Sequence, residues 1–264
     1  MKYALLLALP LLAAIPARAH DTWVQPNTNV VRTGDTIYLD LLLGNHGNDH
    51  RDFKIAGKVD AGEVQLDLYG PGGAKSSLKG ALQDTGYTEK DGFWTAAITP
   101  SKPGLYMVAG TSDKVVSYAP KRSIKSFKSY FIVTRDANRI TPNLPGFNRK
   151  LGRGLEIVPE VNPVAPLGPG SKLAVRLYWN GKPLPDATVS FIPRGAQLKE
   201  GFDPRYERRT NVNGRASLEL KAGNYYLVAA HLERPDEKGQ GYDETKYSAT
   251  LCLFVPQVCP CCGE

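Results

Sequence analysis

Ser171-Lys-Leu-Ala-Val-Arg-Leu-Tyr-Trp179 alternates apolar and polar side chains, and Asn180-Gly181 follows it directly. A period of two places one face of a strand on a core, and Asn-Gly suits the tight hairpin turn because both residues accept positive φ. The same pattern continues downstream at 187–192, 206–210, 215–220, 224–231 and 247–255, divided by clusters such as Asn211-Val-Asn-Gly214. Upstream it recurs at 22–24, 29–31, 36–43, 63–69, 92–99, 104–111 and 126–134, with Arg32-Thr-Gly-Asp35 and Gly70-Pro-Gly-Gly73 as punctuation. Glycine (26) and proline (20) are abundant and no long segment has a 3.6-residue apolar period, so helices are not expected. Roughly seven short strands per hundred residues is the immunoglobulin-like signature. The predicted fold is all-β, with two immunoglobulin-like or prealbumin-like sandwiches in tandem. Pro103-Gly-Leu-Tyr106 and Ala222-Gly-Asn-Tyr225 look like one device used twice, a turn running into an aromatic strand, which supports two sandwiches.

The boundaries follow from composition. Met1-Lys2, an apolar run from Ala4 to Ile15 and the small-residue site Ala17-Arg-Ala19 describe a secretory signal over 1–19. An N-terminal sandwich is expected over 20–135. Residues 136–154 are polar, with prolines and glycines, and read as a linker. A prealbumin-like sandwich is expected over 155–256. Pro159, Pro163, Pro166 and Pro169 hold its entry extended and out of any central strand. Residues 257–264 form a cysteine-rich tail. The apolar run is too short for a bilayer and nothing later reaches that length, so a periplasmic or secreted protein without membrane insertion is expected.

Loss of Lys2 and Arg18 with the signal lowers the formal charge from +7 by two. That mild surplus, export and the absence of a recognition motif argue against nucleic acid. Lys121, Arg122, Lys125 and Lys128 form the densest basic group, read as a solvated strand or loop face; polysaccharide and anionic lipid headgroups are the remaining polyanion partners. No G-x-S-x-G, H-E-x-x-H, phosphate loop or dinucleotide fingerprint occurs, so the protein is not expected to be an enzyme.

The start His20-Asp-Thr-Trp-Val-Gln-Pro26, the join Leu155-Glu-Ile-Val-Pro159 with Asn162-Pro163, and Gly181-Lys-Pro-Leu-Pro-Asp-Ala-Thr-Val189 carry a resemblance, as do Thr210-Asn-Val-Asn-Gly-Arg215 and Ala229-Ala-His231. Together they resemble exported proteins of unknown function grouped with periplasmic components of nickel and cobalt uptake, the NikM-like group. The second half is also similar to the prealbumin-like regulatory domain of carboxypeptidases. The resemblance implies a periplasmic two-sandwich protein that handles a divalent transition metal, served by a membrane metal transporter.

The four histidines are His20, His46, His50 and His231. A cut after Ala19 would give His20 a free α-amine beside its own imidazole, and the two nitrogens can chelate one ion. His231 and one of His46 or His50 would complete a brace-like site for one divalent nickel, cobalt or copper ion per chain. Asp21 and Asp49 are candidates to orient the rings. The plainer reading makes each histidine an ordinary loop or strand-end residue. Cys252 reads as a buried core residue. Cys259, Cys261 and Cys262 form either a disulfide clip or a soft thiolate site. Two other functions compete with metal carriage: a non-catalytic envelope module binding polysaccharide or protein, and a copper oxidase using the same brace.

Overall fold

The computed structural model describes residues 20–46, 59–86, 92–116, 119–152 and 154–258. The first half contributes β1 (Asp21–Pro26), β2 (Val30–Arg32), β3 (Ile37–Gly44), β4 (Val64–Tyr69), β5 (Lys75–Ser77), β6 (Gln83–Asp84), β7 (Trp94–Ile98), β8 (Gly104–Val115) and β9 (Lys121–Thr134). The second contributes β10 (Leu155–Pro159), β11 (Lys172–Trp179), β12 (Lys182–Pro183), β13 (Thr188–Pro193), β14 (Glu207–Arg209), β15 (Arg215–Glu219), β16 (Asn224–Arg234) and β17 (Glu244–Val255). The only helices among the described residues are three single 3-10 turns. None is long and apolar enough to cross a membrane.

The chain is all-β, and its strands make three sheets rather than two separate pairs. One sheet has the order β1-β3-β7-β6, and another joins β10, β11, β12 and β15. A nine-stranded sheet runs β14-β13-β16-β17-β9-β8-β4-β5, with β2 beside β9. This central sheet belongs to both halves. Its seam is the parallel pairing of β17 with β9, from Glu244 opposite Lys121 to Cys252 opposite Ser129. Two long strands from distant parts of the chain thereby satisfy each other's edge groups.

Alternation along β8 and β9 serves a core on each face. Tyr106, Val108, Phe127, Phe131 and Val133 pack with Val24, Leu39 and Leu41 of the first sheet. Leu105, Met107, Tyr130 and Ile132 face the other way and join the core made by β10, β11, β13, β16 and β17. The segment expected to be a linker lies on that second face. Ile140 is buried there, and Leu144, Phe147 and Leu151 pack against the same core.

The turn–aromatic repeat has a physical content that its first alignment misplaces by one residue. Tyr106 donates its hydroxyl hydrogen to the carbonyl of Lys102, at 2.9 Å. The equivalent contact in the second half is made by Tyr226, not Tyr225, to the carbonyl of Ala222 at 3.1 Å. Each tyrosine ties a rising core strand to the corner four residues before it, the tyrosine-corner arrangement of such sandwiches. At the founding hairpin, Asn180 and Gly181 have φ of 48° and 79°, as a type I′ turn requires.

Candidate metal centre

β1 is the strand that brings the histidines to one place. All six of its residues are buried, and it pairs with β3, Asp21 facing Gly44. It also reaches across to the second half. The Thr250 hydroxyl donates to the Thr22 carbonyl at 2.7 Å, and an Arg194 Nη2 donates to Gln25 Oε1 at 3.0 Å. Below the start of β1, strand register sets His231, Ser248 and Lys125 in one row across β16, β17 and β9. Residues in register share a face, so the three side chains rise towards β1.

His231 Nε2 lies 2.9 Å from Asp21 Oδ1. The Asp21 carboxylate raises the histidine's pKa above its ordinary value, partly offset by burial and by Lys125. The ring is nonetheless half in solvent, at 49% exposure. Lys125 Nζ donates to the His20 carbonyl at 3.0 Å and to Thr22 Oγ1 at 3.1 Å. The structure therefore gathers His20, Asp21, Lys125 and His231 at the entrance of β1. Lys125 is the member without a sequence signal: its neighbours in a basic run suggest a solvated face, whereas register across the seam puts it under the first strand.

His46 sits near this group but turns inward. It follows β3 with φ of 56°, and its ring is fully buried against the edge of Trp23, 5.5 Å between centroids. Nδ1 is 3.1 Å from the carbonyl of Ile192, which only accepts, so Nδ1 carries the hydrogen. The amide of Gly195 donates to the His46 carbonyl at 3.1 Å. Burial, and secondarily Arg194, push the imidazole down to about 3, against the Ile192 carbonyl and Asp21. His46 is thus neutral and latches β3 onto the turn after β13. His50, Asp49, Cys259, Cys261 and Cys262 lie outside the described residues. Cys252 is fully buried, with Sγ 3.9 Å from Gln25 Oε1.

The sign of the pH dependence follows from these two rings. Unfolded His46 takes up a proton near its ordinary pKa of about 6.5, while the folded ring refuses it until far lower. Stability should therefore fall as pH drops from about 7 to about 5, by at most about 1.4 kcal/mol per unit. His231 acts oppositely: its raised pKa contributes stability below its ordinary value that is lost as pH rises through the folded one. Urea midpoints across this range should show the acid-side slope, and His46→Asn, which keeps a donor and tolerates the left-handed backbone, should flatten it. An unchanged slope in that variant would count against the assignment.

Among the described residues no three His, Cys, Asp or Glu side chains converge as a metal-holding group. A brace draws three nitrogens from two residues, one of them terminal, so that observation leaves the His20–His231 pair open. The carboxylate on one ring nitrogen of His231 is the pattern that fixes a ligating histidine's tautomer. The Lys125 ammonium works in the other direction, since it opposes a nearby cation.

A family model described as a domain of unknown function, DUF4198, matches residues 17–234. The chain belongs to the DUF4198 family. No curated protein matches it. Among solved structures, the D0–D1 domain of intimin is 15% identical over 89% of this DUF4198 chain and 98% of that one, with a TM-score of 0.25. A DUF4785 family protein from Legionella pneumophila is 13% identical over 78% of this chain and 52% of its own, with a TM-score of 0.29. A Salmonella alpha-2-macroglobulin is 15% identical over 96% of this chain and 16% of its own, at 0.28.

Proposed function

We propose that this DUF4198 chain is an exported carrier of one divalent transition-metal ion, bound as cargo through His20 and His231. Copper, nickel and cobalt suit amine and imidazole nitrogens, and a membrane metal transporter is the corresponding partner. The observation that carries the reading is the Asp21–His231 contact at the start of β1, beside the residue that signal cleavage would expose. With Nε2 committed to Asp21, His231 offers Nδ1. His20 would add its ring and, once terminal, its amine. Both must be deprotonated to bind, so loading would release protons. Asp21 orients, and Lys125 fixes the backbone of His20 by its carbonyl.

The test is intact mass and metal content of protein exported with its own leader, followed by calorimetric titration with Cu(II), Ni(II) and Co(II). The expected result is a mass beginning at His20 and one ion per chain. His231→Gln should weaken binding by at least about 100-fold. Inserting one glycine before His20 should do the same while leaving the metal-free melting curve unchanged. Undiminished affinity in the glycine-extended protein would remove the terminal amine from the site, and a correctly cut protein that stays empty would remove the carrier reading.

A further inference from the structure

The segment between the halves carries more than a connection. Residues 135–153 hold five basic residues, Arg135, Arg139, Arg149, Lys150 and Arg153, against one acid, Asp136. A surplus of four sits in nineteen residues of a chain whose whole surplus is +7. Arg135, Arg139, Arg149 and Lys150 are exposed. Among the described residues no carboxylate lies within ion-pair distance of any of these four. Several cations elsewhere are neutralised locally, as at Lys121–Glu244, Arg122–Asp113 and Arg234–Asp236.

The segment is also held still. Its apolar residues face the central sheet, and its backbone is fastened by the Tyr130 hydroxyl to the Phe147 carbonyl and by Asn162 to the Leu144 carbonyl. Lys128 Nζ bonds the Arg149 carbonyl at 3.1 Å, and Glu156 accepts the amides of Leu151 and Gly152. With its underside fixed, the segment presents a basic strip of sequence, Arg135, Arg139, Arg149 and Lys150, to solvent. The Arg149 guanidinium stands 5.0 Å from the Tyr69 ring centre, and the Lys150 ammonium 4.2 Å from that of Tyr178. Cation–π contacts of this kind pre-order a cation without cancelling its charge.

We propose that this strip is a docking surface for phosphate-bearing lipid headgroups. Pre-ordered cations without carboxylate partners match an anionic surface, and each is worth about fivefold in partition there. The two aromatic rings beside them carry cations on their faces, so they offer no platform for stacking a sugar. That favours phosphate headgroups over a polysaccharide chain. Binding would be peripheral, without insertion, and independent of the metal site, which lies on the other face of the central sheet.

The experiment is co-sedimentation of the exported protein with phosphatidylcholine vesicles, with and without phosphatidylglycerol. Binding should require phosphatidylglycerol and fade as salt shortens the screening length. Arg139→Gln/Arg149→Gln/Lys150→Gln should lose at least about tenfold in partition. Lys172→Gln/Lys182→Gln/Lys221→Gln removes as much charge from exposed sites of the second half and should bind as the parent does. Equal loss in both variants would reduce the effect to net charge and overturn the proposal. So would no affinity for phosphatidylglycerol vesicles, or capture by dextran sulfate without capture by vesicles.

Discussion

Glu156→Leu is expected to cost about 3–5 kcal/mol, because it strands a buried charge. Glu156 and its partner Lys128 are each only 3% exposed at the side chain, with Nζ to Oε1 at 2.5 Å. Burial pulls the Lys128 amine down, and the Glu156 carboxylate is what holds it up. Without that carboxylate an ammonium would remain in the core or give up its proton. The amides of Leu151 and Gly152, bonded to Glu156 at 2.6 and 2.9 Å, would also lose their acceptor. The double variant Glu156→Leu/Lys128→Met should recover much of the loss, because an apolar pair of similar volume removes the stranded charge. Urea unfolding of the three proteins reads this directly. A single variant as stable as the parent would show that the pair contributes nothing.

Trp23→Ala should destabilise by a similar amount, about 3–5 kcal/mol. Trp23 is fully buried and packs on Leu42 of its own sheet but on Ile192, Leu227 and Cys252 of the second half. The cavity would open between the first sheet and the strands it leans on, where neither side can close up alone. Trp23→Phe makes the sharper comparison. The indole nitrogen is buried with no hydrogen-bond partner among the described residues. Phenylalanine removes that orphaned donor while keeping most of the ring, so the cost should stay below about 1.5 kcal/mol. If alanine and phenylalanine cost the same, packing across this contact is not what Trp23 contributes.

The strand pattern was legible because burial on one face leaves a period of two in the sequence. Thirteen of the seventeen strands overlap the alternating runs; β5, β6 and β12 escape because they are two or three exposed residues each, and β10 because all five of its residues are buried and show no alternation. β8 and β9 run on past their apolar stretches, and Ile124 alone is apolar between Lys121 and Lys125, since there the hairpin partner and β17 supply backbone bonds rather than a core. The seam left no trace at all. Parallel pairing between residues more than a hundred positions apart depends on which edges are free, not on local composition. The same holds for the site. Asp21 could be named beside a histidine because it adjoins His20 in the chain, but His231, Lys125 and Arg194 reach β1 only through register. His46 misleads because glycine and asparagine around it suggest a solvated loop, while its ring fills a gap beside Trp23.

The seam also decides how the molecule can be divided. Scissors applied at residue 154 would not yield two tidy modules for separate expression. Each fragment would instead present a naked ribbon of unpaired amides and carbonyls, β9 on one and β17 on the other. Long bare edges of that kind recruit whatever strand they meet, so the halves would be prone to clump with copies of themselves. The working unit is the intact chain.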